Sequence, residues 1–333
     1  MTLAVNIAQG GSNNVTFRNK LINGACVIDQ RNAGASVTPT TDAYTLDRWK
    51  AQSSQSSKFS VQQNAGSVTP PAGFTNYLGV TSLSAYSVGS GDYFAIDQRI
   101  EGYNMADLNW GSANAKTVTL SFWVRSSLTG TFGGCFTNNA FNRSYPFTYT
   151  ISSANTWEQK SVTITGDTAG TWLTTNGLGM YVQFGLGVGS TYSGTAGSWA
   201  ASGYTSATGA TSVVGTSGAT FYITGVQLEA GTTASPFEYR QYGTELALCQ
   251  RYFQTGSFAM FGYTLITEAF GGNVYFCVTK RAIPTIVYSN VVNTNNTGSY
   301  TTAIAVNQFG AYAIANGTTR QSLTLDYTAS AEL

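Results

Sequence analysis

Apolar and polar residues alternate with a period of two in several stretches of the chain, the signature of strands with one face buried. From Thr117 to Arg125 one face carries Val118, Leu120, Phe122 and Val124, and the other Thr119, Ser121, Trp123 and Arg125. Lys160 to Thr165 repeats the pattern with Val162 and Ile164 inward, and Met180 to Val188 does so with Met180, Val182, Phe184, Leu186 and Val188. These strands are expected to share one sandwich core. In Thr220 to Glu229 the large apolar residues change parity across Gly225, from Phe221 and Ile223 to Val226 and Leu228. A β-bulge at that glycine accounts for the change.

Clusters of Gly, Ser, Thr, Asn and Ala at Ser82 to Asp92, Gly166 to Gly179 and Ser190 to Gly218 separate the strands, the punctuation of an all-β sandwich or jelly roll rather than of βαβ units. The last of these reads as a long inter-strand loop. Two stretches have helical character: Glu101 to Asn109, and Thr244 to Phe253 with Thr244 as N-cap and Leu246, Cys249 and Phe253 on one face. After them Val274 to Val278, Thr285 to Val292, Thr301 to Val306 and Gln321 to Leu333 read as strands of a second, small β-sandwich. The final strand alternates to its last residue, so its apolar face needs a cover, and a neighbouring subunit is one candidate.

Composition sharpens this picture. With 333 residues the chain has room for one large or two medium domains, and 42% hydrophobic against 9% charged residues favours burial over disorder. Sixteen basic and fifteen acidic residues leave a net charge of +1 with no basic run, so nucleic acid is not an expected partner. No apolar run approaches the roughly 20 residues of a membrane helix, and the first ten residues lack the pattern of a secretory signal. Membrane insertion is therefore not expected, and assembly in the cytoplasm is. Cys26, Cys135, Cys249 and Cys277 are widely spaced, which fits buried thiols better than disulfides or a zinc site.

Two segments carry a family resemblance. Ile223 to Phe253 contains Ile-Thr-Gly-Val-Gln-Leu-Glu-Ala-Gly, then Ser235 to Arg240 (Ser-Pro-Phe-Glu-Tyr-Arg) and Glu245 to Phe253. Upstream stand Asn23 to Arg31 (Asn-Gly-Ala-Cys-Val-Ile-Asp-Gln-Arg) and Tyr44 to Trp49 (Tyr-Thr-Leu-Asp-Arg-Trp). In this order they resemble a module of bacteriophage tail fibres, over about residues 20–255. The resemblance implies a jelly-roll domain similar to carbohydrate-binding modules, a virion protein that binds a host cell-surface glycan, and a homotrimer. It also makes a structural calcium ion possible, though no ligand spacing marks one. No long coiled-coil or collagen-like repeat precedes the module, a departure from long fibres that leaves capsid decoration open as a second role.

The chain contains no histidine, which excludes Ser-His-Asp and Cys-His nucleophiles and His-ligated zinc. A pair of carboxylates could still hydrolyse a glycosidic bond, and Asp167, Glu229, Glu238 and Glu245 are the candidates for that lesser alternative, a glycan depolymerase. Glu229 and Glu238 stand near Arg240, however, where a carboxylate more often serves an arginine or backbone amides. Ile28-Asp29-Gln30-Arg31 recurs as Ile96-Asp97-Gln98-Arg99, so Asp29, Arg31, Asp97, Arg99, Glu238 and Arg240 are expected to form structural pairs. Sugar recognition asks for aromatic faces beside polar groups. The aromatic loops offer Tyr192, Trp199 and Tyr204 in one, and Asn142, Arg143 and Tyr145, beside Asn138, Asn139 and Phe141, in the other. Trp199 reads rather more as a cap on the sandwich end than as a ligand contact.

The sequence therefore predicts a non-enzymatic all-β protein without an obligatory cofactor. Its expected parts are an N-terminal arm over residues 1–40 that attaches to other virion proteins, a jelly roll over 41–242, and a short helix with a C-terminal β domain over 243–333.

Overall fold

The computed structural model describes residues 17–317 and 319–333. The chain is all-β: a jelly-roll sandwich, then a short helix, then a second small sandwich. Two compact units result, one formed by the residues up to Val27 with Gly34–Arg240, the other by Ile28–Ala33 with Gln241–Leu333. Residues 1–16 of the expected arm lie outside the described residues.

In the first unit a six-stranded antiparallel sheet has the order β1 (Ala43–Leu46), β2 (Trp49–Ser53), β5 (Tyr93–Glu101), β10 (Leu178–Val188), β7 (Gly130–Asn138) and β8 (Ser144–Ile151). Facing it is a five-stranded sheet in the order β3 (Phe59–Gln63), β4 (Leu78–Ser82), β13 (Thr220–Ala230), β6 (Val118–Ser126) and β9 (Glu158–Ile164). Their apolar faces meet in one core that includes Val118, Leu120, Phe122 and Val124 from β6 and Met180, Val182, Phe184 and Leu186 from β10. Phe184 packs edge-on against Phe122 at 5.1 Å and Phe147 at 6.2 Å. The pairing of β13 with β6 shifts register between Thr224 and Gln227, and Gly225 has φ 61°, so the parity change at that glycine is a bulge.

Part of the segment expected within an arm is core. Leu21 and Cys26 are fully buried, and residues 19–26 are bonded along β13. Lys20 N–H donates to Leu228 O at 2.8 Å and Val226 N–H to Gly24 O at 2.9 Å. The approach at Gly24 is so close that a Cβ there would stand 2.1 Å from Val226 O, which explains the glycine. Asn23 Nδ2 donates to Asp47 O at 3.0 Å and Trp49 Nε1 to Asn23 O at 2.9 Å, so the two upstream motif segments lock onto each other.

The helix of the second unit, α1, spans Tyr242–Gln250, two residues earlier than expected. Its N-cap is Gln241, without a side-chain capping bond, and Thr244 lies inside the helix. The other predicted helix is a pair of 3-10 turns, Gly102–Asn104 and Ala106–Leu108, closed by Asn109 in the left-handed region at φ 55°. The second unit's strands form two three-stranded sheets. One has the order β14 (Phe253–Gly262), β19 (Gln321–Ser330), β16 (Thr285–Thr294), and the other β15 (Ala269–Tyr275), β18 (Gln308–Ala315), β17 (Asn296–Thr302). The inward face of β19, with Leu323, Leu325, Tyr327 and Ala329, is covered within the chain by residues including Phe309, Ala311 and Ala313. Its apolar alternation thus needs no neighbouring subunit.

Cys26, Cys135 and Cys249 are buried free thiols, whereas Cys277 is exposed, contrary to expectation for the fourth. Burial pushes the Cys26 and Cys135 thiols up to about 12. Among the described residues no helix is long and apolar enough to cross a membrane.

Candidate functional site

Side chains alternate across a sheet, so the pairing of β2, β5, β10 and β7 sorts residues into an inward set and an outward set. Phe94, Ile96, Met180, Val182 and Phe184 point into the core. Outward rows therefore hold Lys50, Asp97 and Gln183 side by side, then Arg99, Tyr181 and Thr137.

Part of this outer face is roofed by the segment joining β10 to β13. Within it the short strands β11 (Ser193–Gly194) and β12 (Ser206–Ala207) pair in parallel. Ser206 rests over Gly133 and Gly185, and a Cβ on either glycine would stand 2.5 Å from Ser206 Oγ. Two residues without side chains thus let the roof come down onto the sheet. Thr137 Oγ1 donates to Tyr204 O at 2.7 Å and holds it there.

Beside the roof lies a cleft of about 330 Å³ whose lining includes Gln52, Arg99 and Tyr181 from the strands and Asp42, Phe141, Tyr192 and Thr205 from the loops. Tyr93, also in the lining, meets Tyr192 edge-to-face at 5.3 Å, and Phe141 leans on Tyr181 at 4.8 Å. Phe141 is 45% exposed, a large apolar ring kept in solvent at the mouth. Rings with hydroxyl, amide and carboxylate groups between them form a surface suited to the C–H faces and hydroxyls of a sugar.

The charges of the cleft are paired. Arg99 Nε lies 3.2 Å from Asp97 Oδ2, and its guanidinium lies 4.9 Å from the Tyr181 ring centre. Burial raises the Asp97 carboxyl above its ordinary range, with Arg99 and Lys50 acting in the opposite sense. Burial is the largest influence on Arg99 and opposes its charge, but Asp97, Tyr44 and Tyr181 together outweigh it and raise the guanidinium's pKa. Lys50 Nζ stands 3.6 Å from Asp42 Oδ2, while Asp42 Oδ1 accepts the Ser53 N–H at 3.0 Å. Burial raises the phenols of Tyr93 and Tyr181, which keeps both hydroxyls neutral. Asp97 Oδ1 and Gln183 Oε1, on paired strands, are buried without a hydrogen-bond partner.

Of the six side chains that the sequence puts forward for glycan contact, the cleft is lined by Tyr192. Trp199, Tyr145 and Arg143 gather elsewhere. Trp199 packs against Trp110 at 5.3 Å, Trp172 at 5.6 Å and Tyr145 at 5.2 Å, and its Nε1 donates to Thr165 O at 2.8 Å. Arg143 forks onto Asp167 at 2.9 and 2.6 Å. The ring of Tyr204 lies over Gly194, and Asn142 closes a turn with Asn138, accepting from Asn138 Nδ2 at 2.7 Å. Sequence reasoning missed Asp42, Gln52, Tyr93, Tyr181 and Thr205. Its available signal was an aromatic ring at a polar parity position: Tyr181 sits on the outward side of the Met180 to Val188 alternation.

Asp97 pairs with Arg99, and Arg240 Nη2 reaches Glu238 Oε2 at 3.2 Å. Arg31 pairs with Glu332 at 2.6 Å and stacks over Phe253 at 3.7 Å, while Asp29 Oδ1 accepts the Asn32 N–H at 3.0 Å. The carboxylates considered for hydrolysis are engaged structurally. Asp167 holds Arg143 and Trp172, Glu229 accepts Ser235 N–H and Oγ–H at 2.8 and 2.6 Å, and Glu238 accepts Arg18 and Asn19 N–H at 3.3 and 2.9 Å. Glu245 is buried in α1. Among the described residues no three side chains of His, Cys, Asp or Glu gather to hold a metal ion, so no carboxylate-rich calcium cage is present there.

No protein-family model matches the chain, and no curated protein matches it. Solved structures similar to it include the enzymatically active domain of tailspike protein 4 from bacteriophage CBA120, at 12% identity and TM-score 0.35. That match covers 64% of this chain but 22% of the tailspike domain's own length. A family 11 carbohydrate-binding module from Clostridium thermocellum in complex with a β-1,3-1,4-mixed-linked tetrasaccharide matches at 12% identity, over 60% of this chain and 98% of the module, with TM-score 0.30. TmCBM61 in complex with β-1,4-galactotriose matches at 9% identity, over 64% of this chain and 99% of its own, with TM-score 0.32. At these scores the likeness decides nothing about ligand or activity.

Proposed function

We propose that the protein is a non-enzymatic glycan-binding protein of the tail-fibre type, which attaches a virion to carbohydrate on a host cell surface. The observation that carries this reading is the cleft on the outer face of the six-stranded sheet, where Tyr93, Tyr181, Tyr192 and Phe141 surround Asp42 and Gln52. The aromatic rings supply apolar faces, and the carboxylate and amide supply directional partners for hydroxyl groups. Engagement of Asp167, Glu229 and Glu238 in structural bonds supports binding over hydrolysis. In this proposal the protein acts as a homotrimer and joins other virion proteins through its N-terminal residues.

Tyr192 is the side chain on which to test the cleft, because it comes from a loop and its loss leaves the sandwich core untouched. Purified full-length protein is expected to bind saccharides on a glycan array, and Tyr192→Ala to weaken that binding by about tenfold or more with an unchanged melting temperature. An array on which no saccharide is retained, or on which Tyr192→Ala binds like the parent chain, overturns the reading.

A further inference from the structure

The way charge is distributed around the cleft narrows its ligand: we infer that it takes a neutral, hydroxyl-rich glycan and turns away sialylated, sulfated and uronate-bearing ones. This rests on the glycan-binding reading above and adds a substrate class to it.

Among the described residues, the charged ones lining the cleft are Asp42 and Arg99. Recognition of an acidic sugar calls for a cation whose donors are open to the ligand, ideally a forked arginine facing carboxylate or sulfate. Arg99 is not in that state. Its side chain is 13% exposed, its Nε is directed to Asp97, whose side chain is 0% exposed, and one face of the guanidinium is covered by Tyr181. An approaching anion meets a neutral pair rather than a free positive charge. Taking Arg99 from Asp97 would leave a buried carboxylate without its counter-ion, which is expensive.

Lys50, the next cation, repeats the arrangement. Its side chain is 15% exposed, it pairs with Asp42 at 3.6 Å, and it lies 5.7 Å from the Tyr44 ring. Asp42 is the more accessible member of that pair, at 35%. The charge that solvent and ligand reach most easily is therefore negative. It repels anionic sugars and accepts hydrogen bonds from sugar hydroxyls, and charge-assisted bonds of that kind are about twice as strong as neutral ones. Gln52 adds an amide, and Tyr192 and Phe141 add ring faces. With about 330 Å³, near the lower end of ligand pockets, the cleft holds a short stretch of a glycan chain.

The test uses the full-length chain with dextran, galactan and mannan as neutral probes, and polysialic acid, polygalacturonate and heparin as acidic ones. At least one neutral polymer is expected to bind with an affinity that changes less than about twofold when salt is raised to roughly tenfold its starting concentration, because screening acts on net charge. Asp42→Asn, which keeps size and an acceptor oxygen, is expected to weaken that binding by about tenfold. Preferential, salt-sensitive binding of an acidic polymer that Asp42→Asn strengthens and Tyr192→Ala abolishes overturns the neutral-ligand inference while leaving the glycan reading standing. Binding to neither set overturns both. A neutral polymer whose binding ignores Tyr192→Ala and Asp42→Asn alike places the site outside the cleft and overturns both as well.

Discussion

Arg240 illustrates how a chain with 9% charged residues uses each of them. Its side chain is 7% exposed and bonds to Glu238 at 3.2 Å, to Leu21 O at 3.1 Å and to Asn19 O, while Glu238 accepts the Asn19 N–H at 2.9 Å. One arginine thus fastens the first described strand-like segment to the end of the jelly roll. Replacing it takes the counter-ion from a buried carboxylate and a donor from two carbonyl oxygens. Arg240→Ala is expected to cost about 3–5 kcal/mol, read as a fall in the urea midpoint at unchanged slope. The short spacing of Glu238 and Arg240 was legible in the sequence. The backbone groups they bond, more than 200 positions away, were not, because nothing local encodes a bond across that separation.

Among the elements, the alternating strands were the legible ones. β6, β9, β10 and β13 send large apolar residues to the sandwich core from every other position, so their period survives in the sequence, as does its break at Gly225. β14 and β18 were missed for a physical reason. Phe258 and Met260 face inward on β14 while Phe261 is 57% exposed on its other side, and β18 packs small residues, Ala311 and Ala313, against the core. With apolar residues on both faces, or small ones inside, alternation has no contrast. The roof of the cleft depends on a similarly silent feature, the pair Gly133 and Gly185. Gly133→Ala introduces a Cβ 2.5 Å from Ser206 Oγ and 3.0 Å from the Ala207 backbone nitrogen. It is expected to lift the roof and lower glycan affinity by about tenfold, with a loss of stability of only about 1–3 kcal/mol, checked by titration and melting on one sample.

At the scale of the whole molecule, the second unit displays most of the exposed large apolar side chains among the described residues, including Phe261, Tyr263, Leu265, Tyr275, Ile283, Val287 and Val292. Apolar surface of this extent on a small sandwich is what self-association covers. The proposed trimer would use that surface and not β19, whose inward face the chain covers itself. Light scattering on the full chain is expected to give the mass of three 35.3-kDa subunits, and Val287→Asp with Val292→Asp to give one. A monomer from the parent chain removes the trimer from the proposal.

The sequence by itself determined the fold class and four strands of the jelly roll, because strands that feed one core must alternate. It also singled out Tyr192 and the loop that carries it. Only the tertiary structure decided where the cleft is. Asp42, Gln52, Tyr93, Arg99 and Tyr181 come from separate strands and loops and are neighbours through register alone. Long-range packing within each unit likewise turned Trp199 toward Trp110 and Trp172 and gave Arg31 its partner Glu332. A local pattern records which side of a strand is wet. It holds no record of which strands lie side by side, and the site is made of those adjacencies.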